Sequence, residues 1–234
     1  MSDQPSIKIS SAGDVRDVLT EIAATDFPTI VELRQAVEPV LRALAQAPGV
    51  LKELLDGALP GACERDKDAV KLVLWRCPKT KAALRLHRFL GSGPDRPHSH
   101  RWPFVTHILQ GKYRHAIYAV SGGLRENLDL EDLTLTTERI EREGTAYALD
   151  HRVIHVVDPD PDTLTLMFRG AAQSDRLLVI DHGAGDTYWH FGSTEAEGQQ
   201  NRYSQTMSVQ ETNQEAGHIL KVMSLVPSAA SPNP

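Results

Sequence analysis

Residues 98–111 read HSHRWPFVTHILQG and place two histidines at the start of a strand-like run. Side chains two positions apart on a strand lie on the same face, so His98 and His100 can converge on one point. Histidine is also concentrated around this stretch, because seven of the ten histidines lie between residues 87 and 155 of the 234-residue chain. The pattern predicts a site that uses imidazole groups.

A third histidine stands in a second apolar run. His155 lies within VIHVV, residues 153–157, where a buried imidazole needs a partner. Three imidazole nitrogens can form one face of the coordination shell of a divalent metal and leave other positions open. Taken alone, an HxH pair is more typical of ordinary surface or core histidines. His98, His100 and His155 are the candidate metal ligands, and the spacing of the residues around them decides in favour of this interpretation.

From about residue 69 the hydrophobic period changes from the helical value to two. Short apolar or β-branched runs follow, separated by glycine, proline and aspartate turn signals at intervals of roughly 8–12 residues. They span residues 70–74, 84–86, 104–109, 113–120, 133–140, 153–157, 164–168 and 177–180. This spacing favours an all-β sandwich or barrel.

Residues 11–60, in contrast, have the period of helices. Thr29 and Glu32 form a capping-box signature at the start of the longest of them, and Pro39 is expected to kink or interrupt it. A last helix is expected near residues 209–225.

Three regions follow from these patterns: an N-terminal helical segment (1–65), a β-barrel (66–191) and a C-terminal loop, helix and tail (192–234).

The composition excludes several classes of function. The chain carries 25 basic and 31 acidic side chains, a formal net charge of −6, which argues against a protein that binds nucleic acid or an anionic membrane. The first residues, MSDQPSIKIS, lack the basic and apolar regions of a signal peptide, and no run has the length of apolar sequence that a membrane span needs. A cytoplasmic protein is therefore the expectation.

Two spacings around the histidines match a known pattern. Residues 98–111 have the spacing of the first cupin motif, HxH-x(3,4)-E-x6-G, with Phe104 where the glutamate ligand usually stands. Residues 144–159 have the spacing of the second cupin motif and keep its glycine, Gly144, and its histidine, His155. Both matches place the histidines on strands that face one cavity.

The chain therefore resembles the cupin superfamily over about residues 69–190, and the resemblance implies a jelly-roll barrel, the double-stranded β-helix. Phe104 shares strand parity with His98 and His100 but carries no ligand atom, so three neutral histidines remain. A divalent ion held by neutral ligands keeps its full charge and favours an anionic substrate group. Among cupins this set resembles the thiol dioxygenases, the cysteine dioxygenase family, which hold iron(II) with three histidines.

The resemblance implies iron(II) as the cofactor, with O₂ and a small anionic substrate as the reaction partners. In that family an arginine upstream of the first strand pair holds the substrate carboxylate, and Arg76 is the nearest positional match. Arg85, Arg88 and Arg169 are the other candidates for this clamp, because a guanidinium group matches a carboxylate through two hydrogen bonds.

Three further residues are candidates for the pocket. Trp102 forms a pocket wall or stacks in the core, and with Phe104 and Arg76 it completes the expected substrate-binding set. His151 orients a ligand, donates a proton or caps its strand. Tyr147 donates a hydrogen bond in the pocket or packs with its hydroxyl satisfied. His151 and Tyr147 are the expected catalytic residues.

Two other functions stay open. One is a redox-silent cupin that uses zinc, manganese or nickel as a Lewis acid for isomerisation, lyase chemistry or a bond-forming rearrangement. The other is a non-catalytic, ligand-binding cupin. Cupins often pair and the N-terminal helices offer an apolar surface, so a homodimer is kept as an expectation.

Overall fold

Two antiparallel sheets face each other across the interior that holds the predicted histidines. The computed structural model describes residues 7–181, 186–191 and 204–225. The helices are α1 (Ala12–Ala24), α2 (Ile30–Ala45), α3 (Pro48–Asp56) and α4 (Val209–Leu225). The strands are β1 (Glu64–Arg65), β2 (Ala69–Arg76), β3 (Ala83–Phe89), β4 (Phe104–Gln110), β5 (Lys112–Val120), β6 (Leu133–Arg142), β7 (Ala146–Leu149), β8 (Ile154–Pro159), β9 (Leu164–Arg169), β10 (Arg176–Asp181), β11 (Asp186–Phe191) and β12 (Gln205–Thr206).

The strand order is that of a closed double sheet. The first sheet has the order β12-β1-β2-β3-β9-β4-β7, and the second has the order β6-β5-β8. The hairpin β10-β11 extends the second sheet, because His98 forms backbone bridges both to His155 of β8 and to Val179 of β10. The mainly β architecture predicted from the sequence, with helices at both ends of the chain, is confirmed.

The helices begin where the capping signals predict. Ser11 caps α1 and Thr29 caps α2, each with a reciprocal capping box. Helix α2 continues through Pro39, so of the two expected effects, a kink or an interruption, the interruption is wrong. The buried face of α2 explains the difference, since burying several large apolar side chains offsets the roughly 3 kcal/mol that an internal proline costs. These side chains are Leu33, Val37, Val40, Leu41 and Leu44.

The helical layer covers one face of the first sheet and leaves the other face for the site. Leu84 and Leu86 of β3 belong to the core shared with the helices. Arg85 and His87 alternate with them and project from the opposite face, which lines the interior. Helix α4 joins the same outer core through Ile219.

None of the four helices in the described part of the chain combines the length and the apolar character needed to cross a lipid bilayer.

Candidate metal centre

The three predicted ligands meet inside the barrel. His98, His100 and His155 each offer a ring nitrogen, and these atoms all lie within 4.8 Å of one another. The Nε2 atoms of His100 and His155 are 2.8 Å apart. Backbone pairing brings two of the ligands together, because the amide of His98 donates to the carbonyl of His155 at 3.1 Å and the reverse bond has the same length.

Hydrogen bonds fix which nitrogen of His98 faces the cavity. Its Nδ1 lies 2.8 Å from the carbonyl oxygen of Arg96. A carbonyl oxygen only accepts, so Nδ1 carries the proton and the lone pair of a neutral ring stays on Nε2.

The orientation of His155 is set by a chain of three buried groups, which we call the relay: Glu141, His115 and His155. Glu141 Oε1 lies 3.2 Å from His115 Nδ1, and His115 Nε2 lies 3.0 Å from His155 Nδ1. With Nδ1 of His115 donating to the carboxylate, Nε2 of that ring can accept from Nδ1 of His155. The lone pair of His155 is thereby placed on Nε2, which faces His100. Such outer partners are the usual means by which proteins orient histidine ligands.

The relay is buried and its carboxylate is ionised. His115 is 0% exposed and Glu141 is 1% exposed. Burial opposes the charge of Glu141, but hydrogen bonds from His115 and Arg139 outweigh it and lower the pKa of this carboxyl. Arg139 forms an ion pair with Glu141 at the surface end of the relay.

All three predicted ligands are neutral at neutral pH. Burial lowers the pKa of His98 to about 4, and burial also holds the pKa values of His100 and His155 well below the ordinary histidine value. Metal ligation requires neutral imidazole, so the environment holds these rings in the protonation state that binds metal.

The donor set fits a divalent ion. Three nitrogens that share one ion at about 2.1 Å lie within about 4.2 Å of one another, so the rings need to converge by less than an ångström. The close Nε2 contact between His100 and His155 requires a proton between them when no ion is shared. His98, His100 and His155 are therefore the residues that can hold the metal.

Phe104 occupies the position that the strand parity predicts. Its side chain is fully buried, and its ring centroid lies 4.7 Å from that of His100 and 5.9 Å from that of His155. The phenyl ring therefore stands beside the ligands and keeps water from that side of the centre.

Tyr147 lies further back in the same interior. Its hydroxyl is 2.7 Å from that of Tyr113, and its ring centroid is 4.6 Å from that of His115. Burial raises the pKa values of both tyrosines, so both hydroxyls stay protonated. The structure thus gives Tyr147 a hydrogen-bond partner next to the relay; its catalytic role stays a prediction.

His151 contributes to the site through its backbone. Its carbonyl accepts from the amide of His100 at 2.9 Å, which anchors the backbone of a ligand residue. Its ring lies 3.4 Å from the Asp150 carboxylate. The backbone contact does not depend on the imidazole, so the roles expected for the side chain of His151 stay predictions.

A group of arginines lies on the opposite wall of the interior. Arg76, Arg85 and Arg169, which we call the arginine cluster, each have a buried Nε without a hydrogen-bond partner among the described residues. Trp102 connects this cluster to the histidines: its ring centroid is 6.2 Å from that of His100 and 4.3 Å from Cζ of Arg169. Arg88, also a candidate for the clamp, instead forms ion pairs with Glu215 and Asp162.

Sequence reasoning missed three residues of the interior. His115 and Glu141 were not recognised as a pair, although period-two alternation from Tyr113 places His115 on the interior face. His87 lines the interior, and burial lowers its pKa. His107 points to the helical layer, as strand parity predicts, and lies near Arg42 and Glu38.

Comparisons with known proteins were made by sequence and by fold. No family model matches the chain, and no curated protein matches it. Solved structures that match include a hydroquinone 1,2-dioxygenase, PnpCD, in complex with Cd²⁺ and 4-hydroxybenzonitrile, at 9% identity and a TM-score of 0.34. That match covers 43% of this chain and 63% of the other, so the chain spans less than two thirds of that protein's length.

Two further structures have similar scores. KdgF from Halomonas sp. is 16% identical, with a TM-score of 0.33, and the match covers 44% of this chain and 82% of the other. Vicilin from hazelnut, Corylus avellana, is 8% identical, with a TM-score of 0.36, and the match covers 46% of this chain and 30% of the other. Each match covers less than half of this chain.

Proposed function

We propose that this protein is a metal-dependent enzyme, an iron(II) oxygenase similar to the thiol dioxygenases, acting with O₂ on a small anionic amino-acid or thiol-like metabolite. The observation that carries the proposal is the convergence of three neutral imidazoles whose ring nitrogens lie within 4.8 Å of one another. Two of these rings have their free nitrogen fixed by hydrogen bonds made at the other nitrogen. Hydrogen bonds that orient ring nitrogens in this way are typical of histidines that bind a metal ion.

His98, His100 and His155 would hold the ion. Iron(II), when bound there, supplies the redox chemistry that joins the substrate to O₂, which no side chain can supply by itself. Because the ligands are neutral, an anionic substrate group is favoured at the centre.

The remaining residues bind the substrate and exclude water. Arg76 is the expected clamp for a substrate carboxylate, and its buried Nε has no hydrogen-bond partner among the residues that the structure describes. Phe104 and Trp102 form apolar walls between the clamp and the ligands. Low dielectric around the substrate strengthens the arginine–carboxylate interaction. Tyr147 and His151 stay candidates for hydrogen bonding and proton transfer.

A second function is favoured by the same ligand set. Three neutral histidines also bind zinc in catalytic sites, where the ion acts as a Lewis acid. A redox-silent enzyme with zinc, manganese or nickel at His98, His100 and His155 is therefore the alternative.

The two functions differ in their need for oxygen. Protein purified without a histidine tag is analysed for its metal content and then screened in an oxygen electrode with small thiols and amino acids. Bound iron and substrate-dependent O₂ uptake are expected. Bound zinc with turnover in the absence of air would contradict the oxygenase and support the Lewis-acid enzyme. Protein without metal, whose stability is unchanged by chelators, would contradict both.

A further inference from the structure

Two of the clustered arginines lie in one row across the first sheet. Arg76 is the cross-strand partner of Ala83, Ala83 is the partner of Arg169, and Arg169 is the partner of Phe104. Cross-strand partners project from the same face of a sheet. The row therefore leads from Arg76 to the phenylalanine that contacts His100. Ala83, in the middle, contributes only a methyl group between the two guanidinium groups.

Arg85 completes the arginine cluster from the next inward position of β3. It is 6% exposed, and its Nη1 lies 3.7 Å from Oε2 of Glu64. Glu64 is the one carboxylate that forms an ion pair with the cluster within the described ranges. Nη2 of Arg169 donates to the carbonyl of Lys81 at 2.9 Å, but that contact carries no negative charge. Three guanidinium groups beside one carboxylate therefore leave two positive charges without a carboxylate partner among the described residues.

This excess positive charge is energetically unfavourable when no anion is bound. Burial, together with the neighbouring Arg85 and Arg76, lowers the pKa of Arg169 to about 9, so it is charged at neutral pH but held at a cost. Buried charges in proteins are normally paired, and a polar atom left without a hydrogen bond costs free energy. An anion of the right charge would relieve both penalties.

We propose that the arginine cluster binds a group with two negative charges on oxygen atoms, such as a phosphate or two neighbouring carboxylates, at the far end of the molecule that reaches the histidines. The inference rests on the proposed function, since it assigns the second end of the same substrate. Planar guanidinium groups bind such oxyanions through paired hydrogen bonds. The substrate is thus an anion at both ends: one end faces His100, and the other faces Arg76, Arg85 and Arg169.

Trp102 lies between the arginine cluster and the histidines, so the two anion-binding ends belong to one site. Its ring contacts Arg169 on one side and His100 on the other, and its buried Nε1 has no hydrogen-bond partner in the described part of the chain. An indole N–H only donates, so it adds a further donor for an anion between the two groups.

The test measures anion binding by calorimetry. The wild-type chain is freed of metal by a chelator and dialysed, so that anions cannot bind through an ion. Inorganic phosphate, malonate and acetate are titrated at pH 8, where phosphate is mainly dianionic. Phosphate or malonate is expected to bind at least about 10-fold more tightly than acetate, because a second charge engages a second arginine. The stronger of the two identifies the substrate as a phosphate or a dicarboxylate.

Variants assign the binding to the cluster. Arg85→Gln and Arg169→Gln should each weaken phosphate or malonate binding by about 10-fold or more, the loss of one charge-assisted pair of hydrogen bonds. Arg114→Gln is the matched control, because Arg114 is half exposed and its carboxylate partners lie at 3.5 Å; it should change the affinity less than about 2-fold.

Equal affinities for the three anions, or phosphate and malonate affinities unchanged in both cluster variants, would overturn the inference. The outcome is separate from that of the proposed function. Metal retention with no preference for dianions rejects the arginine subsite alone. Dianion binding that depends on Arg85 and Arg169 in a chain that never retains metal supports the subsite and rejects the oxygenase.

Discussion

The two sheets that enclose the interior, which we call its two walls, differ in whether their buried polar groups have hydrogen-bond partners. On the second sheet, the relay pairs each group: Glu141 with His115, and His115 with His155. On the first sheet, the arginine cluster leaves three Nε atoms without partners among the residues described. A paired wall is complete within the chain and serves to position its members. A wall with unpaired donors has hydrogen bonds to offer to a bound group.

The two walls also differ in whether their surroundings stabilise a buried charge. The relay uses a buried carboxylate whose pKa is lowered by its hydrogen bonds, so the charged form is stabilised. The cluster contains an arginine whose pKa is lowered by burial and by like charges, so the charged form is destabilised. The first arrangement adds to the stability of the folded chain and the second reduces it.

The largest effect on metal binding is expected from the loss of a metal ligand. His100→Ala removes one of three ligands and should weaken metal binding by more than about 100-fold, beyond what loss of an outer partner causes. Competition with a chelator of known affinity measures the change. His107→Gln is the control, because His107 is buried on the other face of the sheet. Equal metal affinity in His100→Ala and the wild type would remove His100 from the centre.

Breaking the relay should have the next largest effect. His115→Leu leaves Nδ1 of His155 without an acceptor, so metal affinity should fall by about 10–100-fold. His115→Gln should recover part of the loss, since an amide can accept from His155 and donate to Glu141. The same competition assay applies to both variants. Equal losses in the leucine and glutamine variants would mean that His115 acts only by filling space.

Phe104→Glu should tighten divalent-metal binding by about 10-fold, because a carboxylate replaces an apolar ring beside the ligands. Without metal the same variant should be less stable than the wild type, since it buries an unpaired carboxylate. Phe104→Gln supplies the matched uncharged control. Chelator competition and thermal melting are measured together. A glutamate variant with wild-type affinity would show that Phe104 does not face the ion.

The smallest effects concern stability, and their opposite signs sharpen the contrast between the walls. Arg169→Met should raise the free energy of unfolding of the ligand-free chain by about 1 kcal/mol, because it removes a partly buried charge that no carboxylate of the described residues pairs with and that lies beside two other arginines. Tyr147→Phe should lower it by about 1 kcal/mol, since Tyr113 loses its hydrogen-bond partner. Urea unfolding without metal or added anions measures both. If Arg169→Met destabilises the chain as much as Tyr147→Phe does, the cluster is a structural element.

Strand parity explains why the ligands could be predicted from the sequence. His98 and His100 are two residues apart, so an extended backbone places them on one face, although the structure places both before β4, which begins at Phe104. The spacing to His155 then follows from a matched motif. The capping boxes that begin α1 and α2 are similarly local.

The rest of the site depends on pairings between strands that sequence alternation does not reveal. A register shift between Val73 and Trp75 directs Trp75 outward and brings Arg76 onto the row of Ala83 and Arg169. Strict alternation from Leu72, which faces the helices, would have directed Arg76 outward as well. A second shift, between Ile117 and Tyr118, interrupts the register of β5 with β6. The partnership of His115 and Glu141 was hidden for the same reason.

The metal content of the protein tests the central claim most directly. Wild-type chain and His155→Ala, both purified without a histidine tag, are measured by elemental analysis, with circular dichroism as the check of folding. We expect one ion per wild-type chain, and folded β-structure with no retained ion in the variant. Near-stoichiometric metal in His155→Ala, or none in the wild type after growth with added iron, would contradict a centre built from these three histidines.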